Sequence, residues 1–210
     1  MASLDLSFVN AALTRTGTAQ PLSQTGDGSK AASIVANNYE PLIRSELAGY
    51  PWKFASKIDE LDRLDPAVAG NPPEPWLAAY QLPTDLLDLR TVMISGMPIR
   101  YAVHGDKILC DAAKSDRVIA HYLWRAPEAK MPPWFGEFIT IRMEAMFLRG
   151  IGERYTGAAD RDRAALIAHA VAKTRDAQSQ APRDPFVSPT LEARIGRWPS
   201  SPFWPAFPWR

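Results

Sequence analysis

The stretch "MPPWFGEFITIRMEAMFLRGIG" constrains the fold more than any other part of the chain. Pro132 and Pro133 suit the opening of a helix, where the first backbone N–H groups have no intrahelical partner. Beyond them Trp134, Phe138, Ile141, Ala145 and Leu148 fall on one stripe, and Phe135, Ile139 and Met146 form a second. A helix over 133–150 is therefore apolar round most of its circumference, and such a helix must be buried on several sides by the rest of the chain.

The rest supplies shorter helices and a β-rich middle. Over 4–16, Leu6, Val9 and Leu13 share a face, Ser3 is the expected N-cap and Gly17 the stop. A second helix is expected over 30–48, with Val35, Tyr39 and Ile43 on one face, Ser29 as N-cap and Gly49 as terminator. Pro41 lies inside it, removes one hydrogen bond at a cost of ~3 kcal/mol, and predicts a kink near Glu40. A last helix over 160–179 carries Ala164, Ala165, Ala168, Ala170 and Ala172, small side chains that let neighbouring backbones come close.

"YPWKFASKIDELDRLDP" fits strand or helix equally, and "GNPPEPW" reads as a connector. Over 88–125, "RTVMI", "IRYAVH", "KILC" and "RVIAHYLW" are short β-like runs separated by "SGMP", "GD" and "DAAKSD". The fold class is thus α+β, mainly α: a helical bundle with a small antiparallel sheet inserted between helices. Residues 1–180 form one domain, and 181–210 an extended arm rich in proline and aromatics.

Charge and motif content narrow the function. A net charge of +1 makes no electrostatic case for gripping nucleic acid or an anionic membrane. A lone cysteine, Cys110, builds no disulfide framework, no basic-then-apolar leader opens the chain, and no apolar run approaches the ~18 residues of a membrane span. The chain is expected to be soluble and made in the cytoplasm. His104, His121 and His169 lie far apart, without zinc-ligand spacing, and His121 reads as a structural histidine within a strand. "GDGSK" at 26–30 lacks the spacing and preceding strand of a phosphate loop, and "DRDR" is a charged first helical turn. No catalytic residue, cofactor or metal ligand is expected.

Several segments then add up in order: "FVNAALTRTG", "GYPWKFA", "WLAAYQLPTDLLDLRTV", "HGDKILCD", "IAHYLWR", and a proline-rich entry into a long apolar helix. Over about residues 5–180 this resembles the tail tubular protein A family, the head-to-tail adaptors of tailed bacteriophages. Pro41 and the segment after Ile195 depart from the family's pattern. The resemblance implies a non-enzymatic virion protein of the neck, assembled in the bacterial host cytoplasm. Its copies form a homo-oligomeric ring, usually a dodecamer, which docks on the portal protein and receives a downstream tail or nozzle protein, while genomic DNA passes through without being read.

The chain closes on "RWPSSPFWPAFPWR", which can be neither helix nor sheet. Its prolines restrict the free segment beforehand and leave less entropy to lose on docking. The expected docking residues are Trp198, Phe203, Trp204, Phe207, Trp209 and Arg210, seated on a neighbouring subunit or the portal; the competing reading has the arm cover its own subunit's core. Arg161, Arg163, Arg175 and Asp176 are the expected contacts between subunits. A second reading is a small-molecule binding domain or enzyme whose pocket is lined by Trp52, Tyr80, Tyr101, Tyr122 and Trp124, and a third is another neck protein such as a tail terminator. Truncation after Gly196 separates the roles of the arm. Cover of the core predicts an unstable monomer, whereas docking predicts a stable chain that fails to assemble, read by thermal melting and sedimentation.

Overall fold

The computed structural model describes residues 6–24 and 27–179, so the arm and its expected docking residues, Trp198 to Arg210, lie outside the described residues. Helix α1 (Ser7–Thr16) buries Val9, Ala12 and Leu13 and stops at Gly17, whose φ of 60° lets its N–H reach the Leu13 carbonyl. Its N-cap position is Leu6, without a side-chain cap, rather than the expected Ser3. Helix α2 (Lys30–Ala48) starts where Ser29 accepts a hydrogen bond from the Ala32 N–H at 3.0 Å. It runs as one element through Pro41. Pro41 and Asn37, whose carbonyl loses its helical partner there, both face solvent, so water can satisfy the freed group.

The ambiguous segment resolves into a 3₁₀ turn, Lys53–Ala55, followed by strand β1 (Ser56–Glu60). A four-residue helix, α3 (Pro66–Ala69), is capped by Asp65. Strands β2 (Ala78–Gln81), β3 (Leu86–Ile94), β4 (Met97–Pro98), β5 (Tyr101–His104), β6 (Lys107–Cys110) and β7 (Val118–Trp124) follow. They form two antiparallel sheets, ordered β1-β7-β3-β4 and β2-β6-β5, where one was expected. The β-rich part accordingly spans 56–124 rather than 88–125, because β1 pairs with β7 and β2 with β6. Between β3 and β4, Ser95 and Gly96 both take positive φ (51° and 80°), as a type I′ hairpin turn requires. The "HGDK" hairpin forms as read, with His104 opposite Lys107 and Gly105 at φ 60°.

Helix α4 (Pro133–Gly150) has Pro132 as N-cap and Pro133 in its first turn. Helix α5 (Tyr155–Gln178) begins five residues before the expected 160. The chain reverses through Glu153, whose φ is 52°, and Ala158 is already fully buried, so packing rather than the acidic turn at Asp160 sets the start.

Two cores result. One gathers Val9, Leu13, Val35, Tyr39, Ile43, Leu47, Phe135, Ile139, Met143 and Phe147 around Trp52. The other joins the two sheets through Tyr80, Val92, Ile108, Ala120 and Tyr122. Trp124, half-buried, packs against both. Trp52 is fully buried, donates its indole N–H to the Glu46 carbonyl at 2.8 Å, and meets the rings of Tyr50 at 4.7 Å, Phe135 at 5.1 Å and Trp134 at 5.7 Å. Trp52→Ala opens a cavity at this junction and should cost about 3–5 kcal/mol, measured as a fall in the urea midpoint at constant slope.

Candidate functional site

The four residues expected between subunits separate once placed on the fold. Glu144, at the middle of α4, is 1% exposed. Arg15 of α1 donates to its Oε1 at 3.4 Å, and Arg161 Nε lies 3.1 Å from Oε2 as an ion pair outside hydrogen-bond geometry. Arg15 also makes a two-pronged bond to Glu137 at 2.7 and 2.8 Å, which holds that carboxyl below its ordinary range. Asp176 is 1% exposed, and its carboxylate accepts the Lys53 N–H at 3.0 and 3.3 Å. It caps the 3₁₀ turn before β1 from inside the molecule and is corrected here from a surface contact to an internal one. Arg161 is likewise engaged within its own chain. Arg163 is exposed and pairs with Asp160 of the same helix at 3.3 Å, while Arg175 is exposed on the outer side of α5.

The aromatic pocket does not form. Trp52 sits in the helical core, Tyr80 and Tyr122 are buried in the sheet core, and Tyr101 and Trp124 are half-buried at its margin. These five side chains fill space between elements, which is the commonest use of large rings.

A cleft of about 640 Å³ does open beside Tyr122, lined by Lys57, Asp59, Asp62, Gln81 and Asp85. The Tyr122 hydroxyl donates to Asp59 at 2.8 Å and lies 3.1 Å from Asp85, while Lys57 reaches Asp85 at 2.9 Å and Asp59 at 3.3 Å. Burial, then the two carboxylates, push the Tyr122 phenol well above its ordinary range, and its hydrogen bond holds Asp59 down. Asp59 is thereby favoured in its ionised form, and both carboxylates are occupied by the Tyr122 hydroxyl and the Lys57 ammonium. The cluster ties β1 and β7 to the residue that leads into β3.

The other titratable candidates are structural in their surroundings. Cys110 is fully buried, and burial pushes its thiol up to about 11. His169 stacks on Phe138 with centroids 4.9 Å apart, and burial lowers its pKa. His121 is half-buried in β7 and His104 exposed at the hairpin. Among the described residues no cluster of three or more His, Cys, Asp or Glu is arranged to hold a metal ion.

What the alanine count concealed is the outer side of α5. Its inner face presents Ala158, Ala165, Ala172 and Asp176 to the bundle. On the opposite side Leu166 is 70% exposed, Ile167 68% and Val171 50%. With Ala170 and Thr174 they form one stripe at helical spacing, and Ala170, Val171, Thr174, Arg175 and Gln178 line a groove of about 470 Å³. The signal was available: large apolar residues at 166, 167 and 171 fall opposite the seven-residue alanine repeat.

The sequence was also compared with models of known protein families and with curated proteins. Neither comparison gives a match.

The buried Asp176 makes the fold's acid response testable. Burial raises its pKa above the ordinary 3.8, although the Lys53 N–H works against that rise. The folded carboxyl therefore holds its proton more tightly than the unfolded one. Its contribution to stability is complete below the unfolded value and is lost as pH rises through the higher folded value. Asp176→Asn keeps an oxygen for the Lys53 N–H and removes that loss. Urea midpoints should show the variant gaining on the parent between about pH 3 and pH 7; parallel curves would contradict the assignment.

Proposed function

We propose that the chain is a structural protein of the phage virion neck: a head-to-tail adaptor whose copies form a ring on the portal and receive the tail or nozzle protein. The ring is dodecameric if it follows the family it resembles. The observation that carries the reading is where large apolar side chains are left open. On the β-rich part Ile58, Leu77, Met97 and Val103 are 63%, 68%, 70% and 48% exposed. On the helical part Tyr155, Leu166, Ile167 and Val171 are 69%, 70%, 68% and 50% exposed.

Contacts around a cyclic ring are heterologous beyond the dimer, joining two different surfaces of the same chain. Apolar groups exposed on both parts supply two such surfaces. Support also comes from the architecture, a helical bundle with a β-rich part, which agrees with the fold class read from the sequence. A net charge of +1 suits the wall of a passage that DNA crosses without being held.

Sedimentation of the purified chain, alone and mixed with the portal ring from the same genome, tests the proposal. The expected result is a stoichiometric complex with the portal ring. A chain that stays at about the 23.3 kDa of one copy beside the portal would overturn it.

A further inference from the structure

We infer that the β-rich part supplies both halves of one joint between copies: the open edge of β1 in one copy pairs antiparallel with the open edge of β5 in the next. This deepens the proposed ring and rests on that reading. The joint is made by backbone groups and needs nothing from the outer stripe of α5. Of the edges that the two sheets present, two are blunted and two are not. Strand β4 is two residues long and ends in Pro98. Strand β2 is covered by the segment that follows β1: the Leu64 N–H reaches the Ala79 carbonyl at 2.9 Å, and the Asp62 carbonyl accepts the Gln81 N–H at 3.0 Å. Strands β1 and β5 have no such cover among the described residues. There β1 pairs only with β7, and β5 only with β6.

The registers fix which backbone groups are free. The Leu61 N–H bonds the Val118 carbonyl at 2.9 Å, and bonds alternate along an antiparallel pair. Lys57 and Asp59 therefore bond β7 as well, while Ile58 and Glu60 turn their N–H and C=O groups outward. In the other sheet Ala79 and Gln81 bond away from β6, so β6 uses Ile108 and Cys110 toward β2 and Lys107 and Leu109 toward β5. That leaves the backbone groups of Tyr101 and Val103 facing outward. Set antiparallel, the two edges match, since Ile58 can exchange both bonds with Val103, and Glu60 with Tyr101. The same register lays two exposed apolar side chains, Ile58 and Val103, opposite each other.

Placement and charge make the occupant a second copy. The two sheets share one core, and the chain crosses from β1 to β2 along one side of it. Along the other side the Ile99 N–H bonds the Val92 carbonyl at 2.9 Å, and the chain leads into β5. Strands β1 and β5 thus border opposite sides of the β-rich part, as a head-to-tail contact that closes a ring requires. Pairing β1 with β1, or β5 with β5, would stop at a two-fold dimer. Charge favours the same choice. Asp62, just past β1, is exposed and makes no ion pair among the described residues. Arg100, directly before β5, is exposed, lies over Trp76 at 5.5 Å and likewise makes no ion pair there. The antiparallel register brings these opposite charges to the same end of the joint, whereas β1 against β1 would gather Asp59, Glu60 and Asp62 of both copies.

Proline exchange in the full-length chain tests this, because proline removes an outward N–H without taking a bond from the ladder behind it. Val103→Pro should disable the β5 edge alone, and Ile58→Pro the β1 edge alone. In sedimentation over roughly 10 μM to 1 mM the parent chain should form species larger than a dimer. Each variant should associate at least about tenfold more weakly and remain near the 23.3 kDa of one copy. An equimolar mixture of the two variants should form a dimer and stop there, since one keeps β1 and the other β5; a misfolded variant could not complement in this way. A parent chain that stays single, a variant that associates as strongly as the parent, or a mixture that stays single would overturn the inference. Binding to the portal ring is read on the same samples. A parent that binds it but fails these outcomes loses the joint and keeps the adaptor reading, and one that meets them but ignores the portal loses the adaptor reading alone.

Discussion

The fold depends on covering α4 from every side. Ten of its 18 residues are buried, among them Phe135, Phe138, Ile139, Met143, Phe147 and Leu148. No single partner can cover so wide a face, so α1, α2 and α5 all pack on it. The approach is close enough that a Cβ at two glycines of α4 would force a neighbouring side chain to move. A Cβ on Gly136 would sit 2.6 Å from the Phe8 ring, and one on Gly150 would sit 2.5 Å from the end of Ile34. The same crowding explains the treatment of Glu144. A carboxylate buried to 1% exposure is costly unless cations reach it, and here Arg15 and Arg161 come from the helices on either side. Each surrounding helix is also tied to α4 by charge, α2 through Glu46 and Arg142 at 3.2 Å and α5 through Asp162 with Arg142 and Arg149. The apolar face supplies cohesion, and these pairs set register.

The β-rich part joins this bundle through a small set of groups. Arg125, directly after β7, bonds Glu40 of α2 at 2.9 Å and Glu128 at 2.7 Å. Burial works against ionisation of Glu40, yet Arg125 and Arg44 together pull its pKa below the ordinary range. Trp124 next to it belongs to both cores and lies under the Lys57 and Lys130 ammonium groups at 4.9 and 5.1 Å. On the bundle side, Asp176 of α5 fixes the turn before β1 through the Lys53 N–H. Strands β1 and β7 pair with each other, so both ties act on one edge of the four-stranded sheet.

Much of this was legible in the sequence where one local cause decides. Gly17, Ser29 and the Pro132-Pro133 pair set helix ends through backbone geometry that neighbours do not change. The Ser95-Gly96 and Gly105-Asp106 turns followed from residues that tolerate positive φ. What was not legible rests on contacts between distant segments. Strand β1 has no decisive period of its own and becomes a strand because β7 pairs with it. Tyr155 opens α5 because Ala158 packs inside, and Asp176 reads as a solvated helix-end acid until the Lys53 backbone is brought beside it. The five aromatics proposed for one pocket were separated by the division into two cores, which no local pattern announces.

Helix α5 inverts the usual arrangement, and that inversion carries the functional argument. Ala158, Ala165 and Ala172 are buried against the bundle, while Leu166, Ile167 and Val171 face outward. A helix needed only for the stability of its own chain would gain from the reverse placement, since burying each large aliphatic side chain contributes about 1.5–3 kcal/mol. An exposed apolar stripe of this kind is the sort of surface on which another molecule can dock. Because the inner alanines and the ion pairs to Arg142, Arg149 and Glu144 already hold α5 in place, the outer stripe can gain or lose its cover without disturbing the bundle.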